Sequence, residues 1–118
     1  MLNLSPPTVS LEELEQVYRS RTSVRLDRSR CQSVEAAARM VASAASAEVP
    51  VYGVNTGFGK LSSVKIASSD TATLQRNLIR SHCAGVGDPL PDAVVRLALA
   101  LKLVSLGRGA SGVRWSVI

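Results

Sequence analysis

The sequence predicts a mainly α-helical protein, and three features of its 118 residues support that prediction. Aromatic residues make up only 3% of a chain that is 46% hydrophobic and rich in alanine, which favours helices packed through small side chains over a β-sandwich. Ser10 and Glu13 have the spacing of a helix capping box. Small apolar residues recur at helical spacing between residues 34 and 45. A chain of this length has room for one modest domain, residues 1–118.

The first half of the chain is predicted to contain two helices and a strand. The first helix begins at Leu11, directly after the capping box, and has one apolar face made of Leu11, Leu14, Val17 and Tyr18. Val24–Leu26 alternates like a brief strand. Residues 28–47 form the second helix, whose stripe of small side chains permits close approach of a neighbour.

Pro50 is predicted to end this helical region. Residues 49–54 then form a short extended segment leading into a glycine-rich loop that runs to about Lys65. A third helix spans residues 71–84 and stops at the glycines of residues 85–87; its N-cap candidates are Ser68, Ser69 and Asp70.

A fourth helix is predicted to start with Pro91 and to be apolar on nearly every side over residues 93–106. Three short helices cannot cover it, so we expect further protein, from the same polypeptide or another subunit, to pack against it. Residues 113–118 resemble the opening turns of another helix without a stop signal. A truncated or split polypeptide is the expectation, although a short protein that oligomerises would give the same pattern.

The charge, the cysteine content and the apolar runs of the sequence disfavour a nucleic-acid-binding, metal-binding, exported or membrane-spanning protein. The net charge is +5, but the basic residues are scattered and not interleaved with aromatics, which disfavours nucleic-acid binding. Cys31, Cys83 and the single His82 lack metal-ligand spacing, so we expect no metal site and reduced thiols. No export-signal pattern precedes residue 11, and the longest apolar run is too short to span a bilayer. A cytoplasmic protein is expected.

The loop that carries Tyr52 is the strongest candidate site. Glycine is used where the backbone takes positive φ or approaches another group closely, so its spacing here predicts a shaped loop around a phenol. The loop residues are Gly53, Asn55, Thr56, Gly57, Phe58 and Gly59. Neither nucleotide signature fits, because Leu61 follows Lys60 where a P-loop needs Ser or Thr, and no G-x-G-x-x-G is present. A tyrosine that only packs would give the same pattern.

His82 is the second candidate. It follows Leu74 and Leu78 at helical spacing, so it continues an apolar line and is predicted to face away from bulk water. Two interpretations of His82 agree with this position: a core histidine with one hydrogen-bonded nitrogen, or a site residue. The sequence pattern by itself favours the core histidine.

Three segments, residues 51–61, 74–87 and 105–114, together resemble the amino-terminal part of histidine ammonia-lyase, in the aromatic amino acid lyase and aminomutase family. The resemblance covers most of the chain. It implies a mostly α-helical homotetramer whose active sites draw residues from several subunits. It also implies removal of ammonia from an amino acid, with a methylidene-imidazolone electrophile formed from the protein's own Ala-Ser-Gly.

Within this resemblance, Tyr52 matches the catalytic base that takes the Cβ proton. A free phenol is a poor base near neutrality, so the site must stabilise the phenolate. His82 and the preceding Ser81 match the pair that holds the substrate imidazole in the histidine-specific branch, which implies L-histidine as substrate and urocanate as product. Lyases or aminomutases acting on tyrosine or phenylalanine stay open as alternatives.

Ala110-Ser111-Gly112 has the composition of the cofactor-forming tripeptide, but its sequence context matches an earlier structural segment of the family. The resemblance therefore implies that the electrophile comes from protein outside these residues and that the isolated chain is inactive. Two other hypotheses stay open: a non-catalytic helical interaction module and a basic nucleic-acid-binding domain.

Overall fold

The computed structural model describes all 118 residues and confirms the mainly helical fold class. The chain divides into two compact units, one made of Met1–Arg39 with Pro89–Ile118 and the other of Met40–Asp88. The two strands are β1 (Leu2–Leu4) and β2 (Val24–Leu26), and the four α-helices are α1 (Leu11–Arg19), α2 (Cys31–Ser46), α3 (Thr71–His82) and α4 (Asp92–Gly107).

The first unit contains a two-stranded parallel sheet in which Leu2 pairs with Val24 and Leu4 with Leu26. The prediction of β2 is confirmed, but β1 was not predicted. Residues 2–4 form β1 because their backbone pairs with a strand about twenty residues away. The sequence alone does not reveal such a pairing.

A small apolar core joins this sheet to α1 and α4. Leu4, Val17 and Ala100 are buried at its centre. Gly107, at the end of α4, lies against the side chain of Leu26 so closely that an added Cβ would come within 2.5 Å of a Leu26 methyl. The lack of a side chain at Gly107 therefore allows the end of α4 to lie close to β2.

Much of the apolar surface of α4 is left uncovered by the first unit. Its exposed side chains include those of Val94, Val95, Leu99 and Leu101. An apolar cavity of about 370 Å³ lies against the same helix, and its lining includes Val17, Leu99 and Leu103. The expectation that α4 carries more apolar surface than its own helices can bury is confirmed. No helix of the chain is long and apolar enough to cross a membrane.

Two arginines close the carboxyl ends of helices in this unit. The last carbonyl groups of an α-helix have no partner within the helix. Arg96 donates from Nη2 to the carbonyl of Tyr18 at 3.0 Å, at the end of α1. Arg30 donates from Nε to the carbonyl of Gly107 at 3.2 Å, at the end of α4. Guanidinium groups suit this position because their positive charge also complements the helix dipole.

The second unit contains the end of α2, the glycine-rich loop and α3. The loop includes a 3₁₀ turn at Gly59–Leu61, and Thr56 forms an isolated antiparallel bridge with Lys65. The predicted extended segment at residues 49–54 is wrong, because residues 52–54 form a turn instead. Helix α3 ends at His82, two residues before its predicted end. The expected helical turns at residues 113–118 are a short 3₁₀ turn, Trp115–Val117.

The capping box at the start of α1 is confirmed. Glu13 N donates to Ser10 Oγ at 3.2 Å, and Ser10 N donates to Glu13 Oε2 at 2.8 Å. We expect Ser10→Ala to lower the free energy of unfolding by about 1 kcal/mol, because it leaves an amide of the first helical turn without a partner. Urea unfolding measures this change. Ser23→Ala is the control, since Ser23 is exposed and does not cap a helix; an equal loss in both variants would contradict the assignment.

Asp27 ties the end of β2 to the segment after β1. Its carboxylate accepts hydrogen bonds from the amide of Ser29 and from the hydroxyl of Ser5, each at 2.9 Å. The Ser29 amide is the main cause, and the Ser5 hydroxyl the next, of a pKa of Asp27 held below its ordinary value of 3.8.

This lowered pKa predicts a pH-dependent contribution to stability. The folded state binds the proton of Asp27 less readily than the unfolded state, so the contribution is present above the unfolded pKa and is lost as the pH falls through the folded value. We expect Asp27→Asn to lower the free energy of unfolding at neutral pH and to converge with the original protein in strong acid. Urea unfolding over a pH series tests this. The exposed Asp88→Asn is the control, and a pH-independent difference for Asp27→Asn would contradict the prediction.

Candidate active site

The loop that carries Tyr52 begins as a tight turn directly after α2. The carbonyl of Val51 accepts hydrogen bonds from the amides of Val54 at 3.0 Å and Asn55 at 3.2 Å. Gly53, inside this turn, has a φ of +74°, a conformation that side-chain-bearing residues rarely adopt. Tyr52 therefore lies in a closed turn and not on a strand.

Asn55 holds this turn to the end of α2. Its side chain is completely buried. Its amide nitrogen Nδ2 shares its two hydrogens among three carbonyl groups, those of Ala44 at 3.1 Å, Ala47 at 3.2 Å and Val49 at 3.0 Å. Its oxygen Oδ1 accepts from the amide of Val51 at 2.7 Å. The carboxamide suits this position because it combines two N–H donors for carbonyls with an oxygen that accepts from an amide.

The second half of the loop is fixed by close backbone contacts. The Gly57 amide donates to the carbonyl of Val64 at 3.0 Å, and the amide of Ile66 donates to the carbonyl of Asn55 at 2.9 Å. Gly57 is buried, and a Cβ there would lie 2.8 Å from the carbonyl oxygen of Leu61, so no larger residue fits without a backbone shift. Thr56 is also buried and donates its hydroxyl to the carbonyl of Gly57 at 3.0 Å.

An ion pair closes the loop on its exposed side. Lys65 Nζ lies 2.6 Å from Glu48 Oε2. The hydrogen bond from Lys65, followed by its charge, lowers the pKa of the Glu48 carboxyl. Both ends of the loop are thus joined across its base.

The phenol of Tyr52 projects from this fixed loop. Its side chain is 64% exposed and packs on one side only, against the ring of Phe58. The two ring centroids lie 6.1 Å apart with the planes at 74°, an edge-to-face contact. A Cβ at Gly53 would lie 3.6 Å from the Phe58 ring, an ordinary contact, so the positive φ and not lack of space favours glycine there. Gly59, at the other side of Phe58, has a φ of +57°.

Ser81 and His82 lie in the last turn of α3, and both are exposed. The prediction that His82 faces away from bulk water is wrong, because α3 has no buried residue and Leu78 is only half-buried. His82 Nδ1 lies 2.8 Å from the carbonyl oxygen of Leu78 and 2.9 Å from Ser81 Oγ. The hydroxyl of Ser81 donates to the same carbonyl at 2.9 Å.

The residues predicted as one site fall into two groups. Asn55, Thr56 and Gly57 are buried and use their polar groups within the loop, so they shape it. Tyr52 and His82 present their side chains to solvent. No hydrogen bond joins the loop to Ser81 or His82 within the chain. The carbonyl groups that hold Asn55 and His82 were not predicted, since a sequence pattern gives no direction for a backbone carbonyl.

Ala110-Ser111-Gly112 lies in the loop after α4 in the first unit. Ala110 and Ser111 are exposed to water. The segment is anchored on α2 at both sides: a Cβ at Gly109 would lie 2.9 Å from the backbone of Ser33, and the Trp115 amide donates to Glu35 Oε1 at 2.7 Å.

The fold and the loop define a helical protein that displays one phenol on a rigid, glycine-shaped turn. A family model described as aromatic amino acid lyase matches residues 9–118. The chain therefore belongs to the aromatic amino acid lyase family.

Solved structures agree with this assignment. Ergothionase from Treponema denticola, described as an ergothioneine degrading enzyme, is 31% identical with a TM-score of 0.88, over 98% of this chain and 23% of its own. Tyrosine aminomutase from Streptomyces globisporus is 28% identical with a TM-score of 0.87, over 98% and 22%. Pantoea agglomerans phenylalanine aminomutase is 30% identical with a TM-score of 0.84, over 97% and 22%. The chain spans less than a quarter of the length of each.

The position of Tyr52 depends on the carboxamide of Asn55. We expect Asn55→Ala to lower the free energy of unfolding by on the order of 3 kcal/mol, because it removes a completely buried carboxamide and leaves the amide of Val51 and several carbonyls without that partner. Urea unfolding and hydrogen exchange at the Val51 amide measure the effect. Asn77→Ala is the matched control, since Asn77 is exposed on α3; comparable stability of the two variants would contradict the role of Asn55.

Proposed function

We propose that this chain supplies the catalytic tyrosine loop of an ammonia-lyase that removes ammonia from L-histidine and releases urocanate. Membership in the aromatic amino acid lyase family supports the reaction class. The observation that carries the proposal is the exposure of Tyr52 beside two polar side chains of the same loop, Asn55 and Thr56, that are buried and internally bonded. A loop built only for packing would bury its aromatic ring instead.

Tyr52 acts as the base in this proposal. Its phenolate oxygen takes the proton from Cβ of the substrate, the electron pair of that C–H bond forms the Cα–Cβ double bond, and the bond from Cα to the amino group breaks. The amino group, protonated as –NH3⁺, keeps the electron pair of that bond and leaves as ammonia, and Tyr52 becomes a neutral phenol. The turn orients the phenol toward the substrate, because Tyr52 lies in the turn that contains Gly53 and its ring contacts the ring of Phe58.

The family's methylidene-imidazolone electrophile would activate the substrate. We propose that Ala110-Ser111-Gly112 does not form it, in agreement with its exposure and its anchoring on α2. The residues that bind the substrate carboxylate and complete the proton transfer are likewise proposed to lie in other polypeptide. The length of the solved relatives, more than four times the part matched, supports this arrangement.

His82, aided by Ser81, is proposed to hold the substrate ring. This assignment points to histidine as substrate, because an imidazole can hydrogen-bond to another imidazole. A second candidate is a lyase or aminomutase acting on tyrosine or phenylalanine. The similarity to a tyrosine aminomutase and to a phenylalanine aminomutase favours that candidate.

The remaining parts of the proposal concern partners and location. The uncovered apolar side chains of α4 support assembly with further polypeptide, either a complementing carboxy-terminal lyase part or other subunits of a homotetramer. We propose that residues 1–118 form one amino-terminal lyase domain. Its two free thiols, Cys31 and Cys83, agree with a reducing compartment, the cytoplasm.

Complementation tests the function. We expect the purified chain alone to release no urocanate from histidine, and to do so when mixed with a polypeptide that carries the remaining part of a histidine ammonia-lyase. Tyr52→Phe removes the base and keeps the ring, so we expect activity to fall at least about a hundredfold, the lower range for loss of a general base. Ultraviolet absorbance of urocanate and an assay for ammonia provide the measurement.

Tyr18→Phe is the matched control, since Tyr18 is the other tyrosine of the chain and lies on α1. Equal activity of Tyr52→Phe and Tyr18→Phe would refute the base assignment. Release of tyrosine- or phenylalanine-derived products instead of urocanate would favour the second candidate. A chain that binds the complementing polypeptide but never restores elimination would be a non-catalytic interaction module.

A further inference from the structure

The hydrogen bonds around His82 determine which nitrogen of its ring carries a proton. Nδ1 lies 2.8 Å from the carbonyl oxygen of Leu78. A carbonyl oxygen has no hydrogen to donate, so a hydrogen bond at this distance requires a proton on Nδ1. In the neutral imidazole the other nitrogen, Nε2, is then unprotonated and acts as an acceptor.

Ser81 completes this arrangement. Its single hydroxyl hydrogen is directed to the carbonyl of Leu78, at 2.9 Å. The lone pairs of Ser81 Oγ therefore face His82 Nδ1, 2.9 Å away, as a second acceptor for the same proton. Ser81, His82 and the Leu78 carbonyl form a closed triangle in which each hydrogen has a defined acceptor.

We infer that Ser81 is a positioning residue that holds His82 in its Nδ1-protonated form and leaves Nε2 free as a hydrogen-bond acceptor. Ser81 has used its hydroxyl hydrogen within the triangle, so it acts through His82 and not by direct contact with substrate. Both side chains lie in the last turn of a twelve-residue helix, which fixes the direction of Nε2.

The substrate preference that an acceptor at Nε2 implies rests on the proposed function. An acceptor at Nε2 pairs with a ring that donates a hydrogen bond, such as the N–H of an imidazole or the O–H of a phenol. A plain phenyl ring cannot satisfy it and would leave the nitrogen without a partner in a closed site. The site would therefore favour amino acids whose ring carries a donor.

The tautomer can be measured directly, because His82 is the only histidine of the chain. Two-bond ¹H–¹⁵N correlation spectra of the full chain at alkaline pH separate the two neutral forms by the ¹⁵N shifts of the ring. We expect the Nδ1-protonated form to dominate. We expect Ser81→Ala to lower the ratio of the Nδ1 to the Nε2 form by about two- to tenfold, as loss of one hydrogen bond predicts.

Two further variants separate positioning from a general structural effect. Ser81→Thr keeps the hydroxyl and should keep the ratio, and Ser63→Ala, at an exposed serine of the same unit, should not change it. A dominant Nε2-protonated form in the unmodified chain, or an unchanged ratio in Ser81→Ala, would overturn the inference. The spectra need no catalysis, so a failure of complementation would count against the proposed function alone.

Discussion

Unpaired carbonyl groups at the carboxyl ends of helices are the constraint on which this structure depends. The chain is short and has few buried residues, so it cannot hide these groups in a large core. It pairs them with side chains from other segments: Arg96 for α1, Asn55 for α2 and Arg30 for α4. Each pairing fixes one helix end to a distant part of its own unit, in addition to the apolar contacts.

The candidate site uses the same kind of hydrogen bond to carbonyl groups at helix ends. Asn55 closes the end of α2 and, through the same carboxamide, holds the turn that presents Tyr52. In α3 the residues at the helix end bond back to the carbonyl of Leu78, which directs the ring of His82. Both proposed functional side chains are thus exposed groups on rigid supports, as a preorganised site requires. Hydrogen bonds hold the backbone of both supports, while the side chains of Tyr52 and His82 are exposed.

The incomplete burial of α4 agrees with the greater length of the solved relatives of this chain. A helix that is apolar on nearly every side needs neighbours on every side, and the first unit covers only the part facing α1 and β2. The solved relatives are several times longer than this chain. The exposed apolar surface is therefore the physical feature most consistent with assembly into a larger lyase, and it supports the proposal that catalysis needs additional polypeptide.

Local signals determined much of this protein from its sequence alone. The capping box at Ser10, the periodic apolar residues of α1, the apolar run of α4 and the glycine spacing around Tyr52 act over a few residues, so a pattern can reveal them. The tertiary structure alone decided the pairing of β1 with β2, the turn at residues 52–54, the burial of Asn55 and the exposure of His82. These features depend on contacts between segments that are distant in the sequence. A local sequence pattern does not predict such contacts.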